Sequence, residues 1–525
     1  MPELTPPPPS SPTDTLPGSR TLAVLLALTT LFCGPPGALA AQEATGPDAS
    51  ESPPGVQLPV HELTLANGMR FLVLERPTSP TVGFVVTYPV GGVNETPGAT
   101  GTVHLLEHLL FKGSRSIGTT DVAAEEALFA RMDLVHDSLL AMLGRREPDP
   151  DEVERLESRI ESLEDSARVW VIPNEFDRIL SQAGARGLNA TTTNEATSYF
   201  VELPANRAEL WFALESDRMR EPVFREFFTE RNVVMEERRL RVETSPAGRL
   251  YEEHLAAAFQ VHPYRMPVVG YMSDLQRLSR SLVSDYHRRY YGARNAVVAV
   301  VGGVDAEEVE IWARRYFSDI EEGELPPPVP AREPEQTGPR RIEIRADAGS
   351  ALRFGWKIPS AFHPDAPALA MLSAILTGGT TAHLQESLVD EGGWATYVGA
   401  SMGPGELYPR LFTLDVTPRS SIEVSEVEAA VLESIEDFLQ EPPSDEALER
   451  VRTRIAAGDV RRLQSNLGLA MQLAGSTSST GDWREGFRSS RRIREVTADE
   501  VWEVARRYLR LEGLTVAVLE REGTS

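Results

Sequence analysis

Cysteine is almost missing from this chain: Cys33 is the only one in 525 residues. Lysine is nearly as rare. Of 52 basic residues only Lys112 and Lys357 are not arginine, which reads as codon bias rather than mechanism. Basic charge as a whole is short, at 52 against 78 acidic residues and a net charge of −26. That deficit argues against a nucleic-acid binder, because a phosphate backbone needs a basic face, and it leaves no polybasic membrane anchor. Long apolar runs are lacking too. The one run that could enter a bilayer, Leu22–Phe32, falls short of the ~20 residues of a membrane-spanning helix. It follows a Pro/Ser/Thr-rich stretch and precedes Ala38-Leu39-Ala40, so residues 1–40 read as a secretory signal peptide cut after Ala40. The mature chain is then expected in the periplasm, without a transmembrane anchor and without cysteine. It can form no disulfide and no thiolate metal site, so any metal must be held by histidine and carboxylate.

What remains is ordinary globular composition, 41% hydrophobic and 25% charged. Residues 41–56 form a polar, Pro-rich lead-in. Val60–Leu65, Asn67-Gly68 and Met69–Leu74 predict a β-hairpin with a type I′ turn. A proline- and acid-rich stretch, 319–339, predicts a linker between residues 57–318 and 340–525. Each part opens with strands and closes with a helix and an apolar strand: Tyr286–Tyr291 then Ala296–Val301, and Val501–Leu509 then Leu514–Leu519. The expected class is therefore α+β, with two homologous halves that are each a mostly antiparallel sheet flanked by helices. One segment breaks the repeat. Leu128, Met132, Val135, Leu139 and Met142, then Val153, Leu156, Ile160, Leu163 and Ala167, have heptad spacing around a Pro-containing turn. This predicts an inserted helical hairpin at 121–170, either packing on itself or serving as an arm for a partner or substrate.

The sharpest chemical signal is His104-Leu105-Leu106-Glu107-His108. On a helix, positions i and i+4 share a face, so both imidazoles can bind one ion, and Glu107 sits beside them as a carboxylate base rather than a ligand. This is the inverted zincin pattern H-x-x-E-H. A catalytic site of this kind takes a third protein ligand and leaves one position open. The candidate helix 227–242 offers Glu230, Glu236 and Glu237; Glu230 and Glu237 are seven apart and share a face, while Glu236 points about 100° away.

Four segments together resemble the insulinase/pitrilysin/mitochondrial-processing-peptidase family of zinc metallopeptidases. Gly101–Gly113 is similar to its zinc helix, and Asn189–Tyr199 to its substrate-binding edge strand. Phe224–Glu237 is similar to its third-ligand helix, and His262-Pro263-Tyr264 through Asn295 to the end of its catalytic half. The resemblance implies one Zn²⁺ per chain on His104, His108 and Glu237. It implies Glu107 as the general base, Glu230 as a residue orienting the site, and Asn189, Ala190 and Thr192 as substrate contacts. The implied activity is endoproteolysis of peptides or unfolded, presequence-like segments, which pair with the edge strand. Two departures qualify it. The interval of 129 residues from His108 to Glu237 exceeds the family's usual spacing, and the helical hairpin accounts for the excess. The Arg and Tyr that active members carry in a C-terminal domain fall here on Val389 and Thr396, with Tyr397 one place late and His383 where an arginine is usual. The alternative reading is thus a non-catalytic or partner-dependent subunit, with a homologous partner supplying the Arg/Tyr pair. The other histidines, His61, His136, His254, His262, His287, His363 and His383, have no ligand spacing among themselves.

Overall fold

Thr81–Tyr88 and Val297–Gly302 are apolar along nearly their whole length, as strands covered on both faces must be. In the computed structural model, which describes residues 58–522, they lie at the centre of a six-stranded sheet. The expected signal peptide, Cys33 and the lead-in lie outside the described residues. The strands are β1 (Val60–Thr64), β2 (Arg70–Glu75), β3 (Thr81–Tyr88), β4 (Arg186–Thr192), β5 (Thr197–Pro204) and β6 (Val297–Gly302), in the order β1-β2-β6-β3-β5-β4. A second sheet holds β7 (Arg340–Ala346), β8 (Ala351–Ile358), β9 (Ala395–Gly403), β10 (Arg410–Pro418) and β11 (Leu514–Arg521), in the order β7-β11-β8-β10-β9. Without β1 the two orders are the same pattern. Each has a single parallel pair, β2 with β6 and β7 with β11.

One face of the first sheet packs on its own helices: Phe71, Phe84, Val298 and Val300 meet Trp211, Phe212 and Phe317. The opposite face is covered by a helix from the other half. Leu469, Ala470, Leu473 and Ala474 of helix Asn466–Thr480 pack on Leu72, Leu74, Val85, Ala299 and Val301. The second sheet receives the reciprocal cover. Leu250, Leu255 and Ala258 of helix Pro246–Ala258 pack among Ile344, Leu411, Ala517 and Leu519. A glycine in the corresponding strand of each sheet admits the incoming helix. A Cβ on Gly83 of β3 would lie 2.8 Å from the Leu467 amide nitrogen, and one on Gly355 of β8 would lie 2.6 Å from the His254 ring.

The first hairpin forms as expected but not with the expected turn. A type I′ turn needs positive φ at both central residues, and here only Gly68 has it. The Gly68 amide donates to the Leu65 carbonyl and the Leu65 amide to the Met69 carbonyl, a three-residue loop with a glycine bulge. The cause is tertiary: the Asn67 side chain is buried and donates to the Phe317 and Ile320 carbonyls at 2.8 and 3.0 Å.

The two heptad segments form helices Val122–Leu143 and Pro150–Arg168. An isolated bridge between Thr119 and Val171 closes their base. The fully buried Arg225 ties that base to the rest of the fold. Its guanidinium lies 2.9 Å from Glu125 of the first hairpin helix and donates to the carbonyls of Lys112, Ser114 and Ile117. The linker is also pinned. Glu333 accepts the Gln260, Val261 and His262 amides at 3.0, 2.7 and 2.6 Å and pairs with Lys357 at 2.9 Å. Burial raises its pKa, but these donors outweigh it and bring the carboxyl down to about 2.

Two outcomes are expected. Gly83→Val places side-chain atoms against the backbone of helix Asn466–Thr480 and lowers unfolding stability by about 1–3 kcal/mol; an unchanged urea midpoint would show that the helix does not dock there. The folded Glu333 carboxyl titrates below its ordinary value of 4.5, so its contribution to stability is complete above that pH and is lost as pH falls toward about 2. The stability difference between wild type and Glu333→Gln, measured by chemical denaturation from pH 7 to pH 3, therefore shrinks with acidification.

Candidate metal centre

The H-x-x-E-H segment lies on helix Thr102–Leu109. Its start requires Gly101, at φ 85°, where a Cβ would meet the Leu275 side chain at 2.6 Å. No side chain caps it from the usual position. The buried Glu95 carboxylate does so instead, accepting the Gly101 and Val103 amides at 2.9 and 2.7 Å. Burial pushes the Glu95 carboxyl up to about 8 against the pull of those amides. The opposing helix is Phe227–Arg238, which continues as a π-turn over Arg239–Glu243.

Between these helices three donor atoms converge. Glu237 Oε2 lies 3.6 Å from His104 Nε2 and 3.6 Å from His108 Nε2. A small tetrahedral cation with bonds of ~2.1 Å spaces its ligand atoms roughly 3.4 Å apart, so these atoms fit one. Glu236 is directed away, 63% exposed and paired with Arg239. Electrostatics prepare two of the three donors, and the third, His108, must give up a proton to the incoming ion. Burial, reinforced by His108, drops the His104 pKa to about 3, so this imidazole is neutral. At Glu237 burial is outweighed by His108, His104 and Arg241, which bring the carboxyl down to about 2. At His108 burial is likewise outweighed, by Glu230 and Glu237, and its pKa is pushed up to about 9.

Glu107 lies beside the donors without joining them. Burial raises its carboxyl, and the Thr192 hydroxyl donates a short hydrogen bond to its Oε2. Glu230 Oε2 is 3.3 Å from His108 Nδ1, and its Oε1 is 2.6 Å from Lys112 Nζ. Lys112 and Lys357, the two lysines of the chain, are thus both engaged in ion pairs. Arg241, which sequence reasoning passed over, holds the other oxygen of Glu237: Nη2 lies 2.7 Å from Oε1.

Asn189, Ala190 and Thr192 lie on β4, whose outer edge pairs with no strand among the described residues. The Ala190 side chain packs into the core, and the Ala190 amide donates to Asn189 Oδ1 at 2.9 Å. The turn after β4 is clamped to the other half. Half-buried Glu195 accepts the Glu406 and Leu407 amides at 2.7 and 2.9 Å and a hydrogen bond from the Tyr264 hydroxyl. Val389 packs on the second core, and the Thr396 hydroxyl donates to the Thr417 carbonyl, so neither position offers a cation or a phenol. His383 Nε2 sits 3.0 Å from the Ser434 carbonyl, with its ring against Phe438.

Residues 171–270 match the family model "Insulinase (Peptidase family M16)", and residues 277–455 match "Peptidase M16 inactive domain". The chain is 29% identical over 345 residues to the zinc protease PqqE of Helicobacter pylori, which covers 64% of this chain and 65% of that relative. It is 25% identical over 473 residues to an uncharacterized zinc protease of Mycobacterium tuberculosis, covering 88% of this chain and 94% of the other. Among solved structures, a protease from Helicobacter pylori superimposes with a TM-score of 0.74 at 23% identity, over 88% of this chain and 99% of that one. A peptidase M16 inactive domain from Pseudomonas fluorescens does so at 0.68 and 15%, over 89% and 99%. The shared two-sheet fold and the matched segments agree: the chain belongs to the insulinase (M16) family of peptidases.

Proposed function

We propose that this protein is a zinc-dependent endopeptidase acting on peptides and unfolded segments in the periplasm. The observation that carries the reading is the convergence of His104, His108 and Glu237 with Glu107 set beside them. Two histidines and a carboxylate are a donor set that suits zinc. Zinc bound there supplies Lewis acidity, lowering the pKa of a coordinated water and polarising the scissile carbonyl. Glu107 takes the proton from the attacking water and passes it to the leaving amine nitrogen. Its raised pKa suits both halves of that transfer, and Thr192 fixes its orientation. Glu230 orients the His108 ring through Nδ1.

The free edge of β4 accepts an extended main chain by β-augmentation, which favours unfolded segments over folded proteins. The periplasm is supported by the signal-like sequence at 1–40. It is supported as well by likeness to the periplasmic protease PqqL of Escherichia coli, with a TM-score of 0.64 over 47% of that chain. Among the described residues no helix is long and apolar enough to cross a membrane. A second reading, a zinc-bearing subunit that needs a homologous partner, is favoured by Val389 and Thr396 at the positions where active relatives carry Arg and Tyr.

The purified chain is expected to bind one zinc and to cleave a mixed peptide library. Glu107→Gln keeps the metal and lowers cleavage by roughly 10²–10⁴-fold. Zinc without cleavage by the wild type points to the partner-dependent reading. Full activity in the Glu107→Gln protein overturns the assignment of the base.

A further inference from the structure

We infer that Arg241 is a positioning residue that commits Glu237 to bind the metal through a single oxygen. The inference rests on the metallopeptidase reading above and extends it to a residue outside the ligand set. The Glu237 carboxylate is divided between two tasks. Oε2 faces both imidazoles at 3.6 Å, while Oε1 is held by Arg241 Nη2 at 2.7 Å.

Helical geometry alone would let residue 241 reach back to 237, one turn earlier. The π-turn Arg239–Glu243, which begins two residues after the ligand, shapes the segment in which it does so. The neighbouring arginines are occupied elsewhere. Arg238 pairs with Glu252 and donates to the Gly270 carbonyl, and Arg239 pairs with Glu236. The Arg241 side chain is 61% exposed, so packing does not explain its placement. A carboxylate that bound through both oxygens would occupy two positions on the ion. The charge-assisted bond to Arg241 competes with that mode and leaves a position for water and the substrate carbonyl.

The test uses the full mature chain loaded with Co²⁺ as a spectroscopic probe, with Zn²⁺ affinity measured in parallel by competition with a chelator. Wild type is expected to show the intense visible bands of a four-coordinate ion. Arg241→Ala is expected to show the weaker bands of a five-coordinate one and to bind Zn²⁺ about tenfold less tightly. Arg239→Ala removes the same charge two residues away and is expected to match wild type in both readouts. An Arg241→Ala protein with wild-type bands and affinity overturns the inference. So does an equal change in Arg239→Ala, which would assign the effect to charge alone. Failure of the wild type to bind either ion overturns the metal reading itself, a result distinct from the other two.

Discussion

Everything in this fold depends on the burial of two apolar sheet faces that neither half can cover alone. Each sheet is apolar on both sides, and its own helices occupy one. The remaining face is buried by a helix sent across from the other half, Asn466–Thr480 in one direction and Pro246–Ala258 in the other. The exchange explains why the halves form one unit despite a linker of irregular structure. It also brings the second half close enough for Glu406 and Leu407 to hold Glu195. That clamp lies three residues from Thr192, which orients Glu107.

Within that frame the site is built by low dielectric and neighbouring charge. Burial makes one imidazole neutral and would also neutralise the carboxylates, were they not supplied with partners. Glu237 is kept ionised by the histidines and Arg241, and Glu230 by His108 and Lys112. Glu107 has only a hydroxyl donor, so it alone of the three has its pKa raised. Three glutamates on two helices are thus given two kinds of behaviour by what surrounds each of them.

The parts legible in the sequence were those with a local period. The i, i+4 spacing of His104 and His108, the seven-residue spacing of Glu230 and Glu237, and the heptads of the helical hairpin each describe one helix face. The strands came from apolar runs in the same way. What escaped depends on contacts between distant segments. Arg241 follows the ligand in a turn whose π geometry has no sequence signature, and Glu95 caps a helix from outside the usual position. The exchanged helices lie nearly four hundred residues from the strands they cover in one case. The type I′ turn failed for the same reason, because the Asn67 side-chain amide donates to carbonyls some 250 residues away while its oxygen accepts the Met69 amide.

The helical hairpin carries a debt to the rest of the chain. Its base is closed by the bridge at Thr119 and Val171, so its length could change without moving the strands that follow. Its first helix nevertheless supplies Glu125, the only carboxylate within salt-bridge reach of Arg225 among the described residues. A chain of this fold without the hairpin would leave that guanidinium buried beside three carbonyls without its direct ion-pair partner, at a cost of about 3–5 kcal/mol. Position 225 and the hairpin are therefore coupled energetically through one buried ion pair.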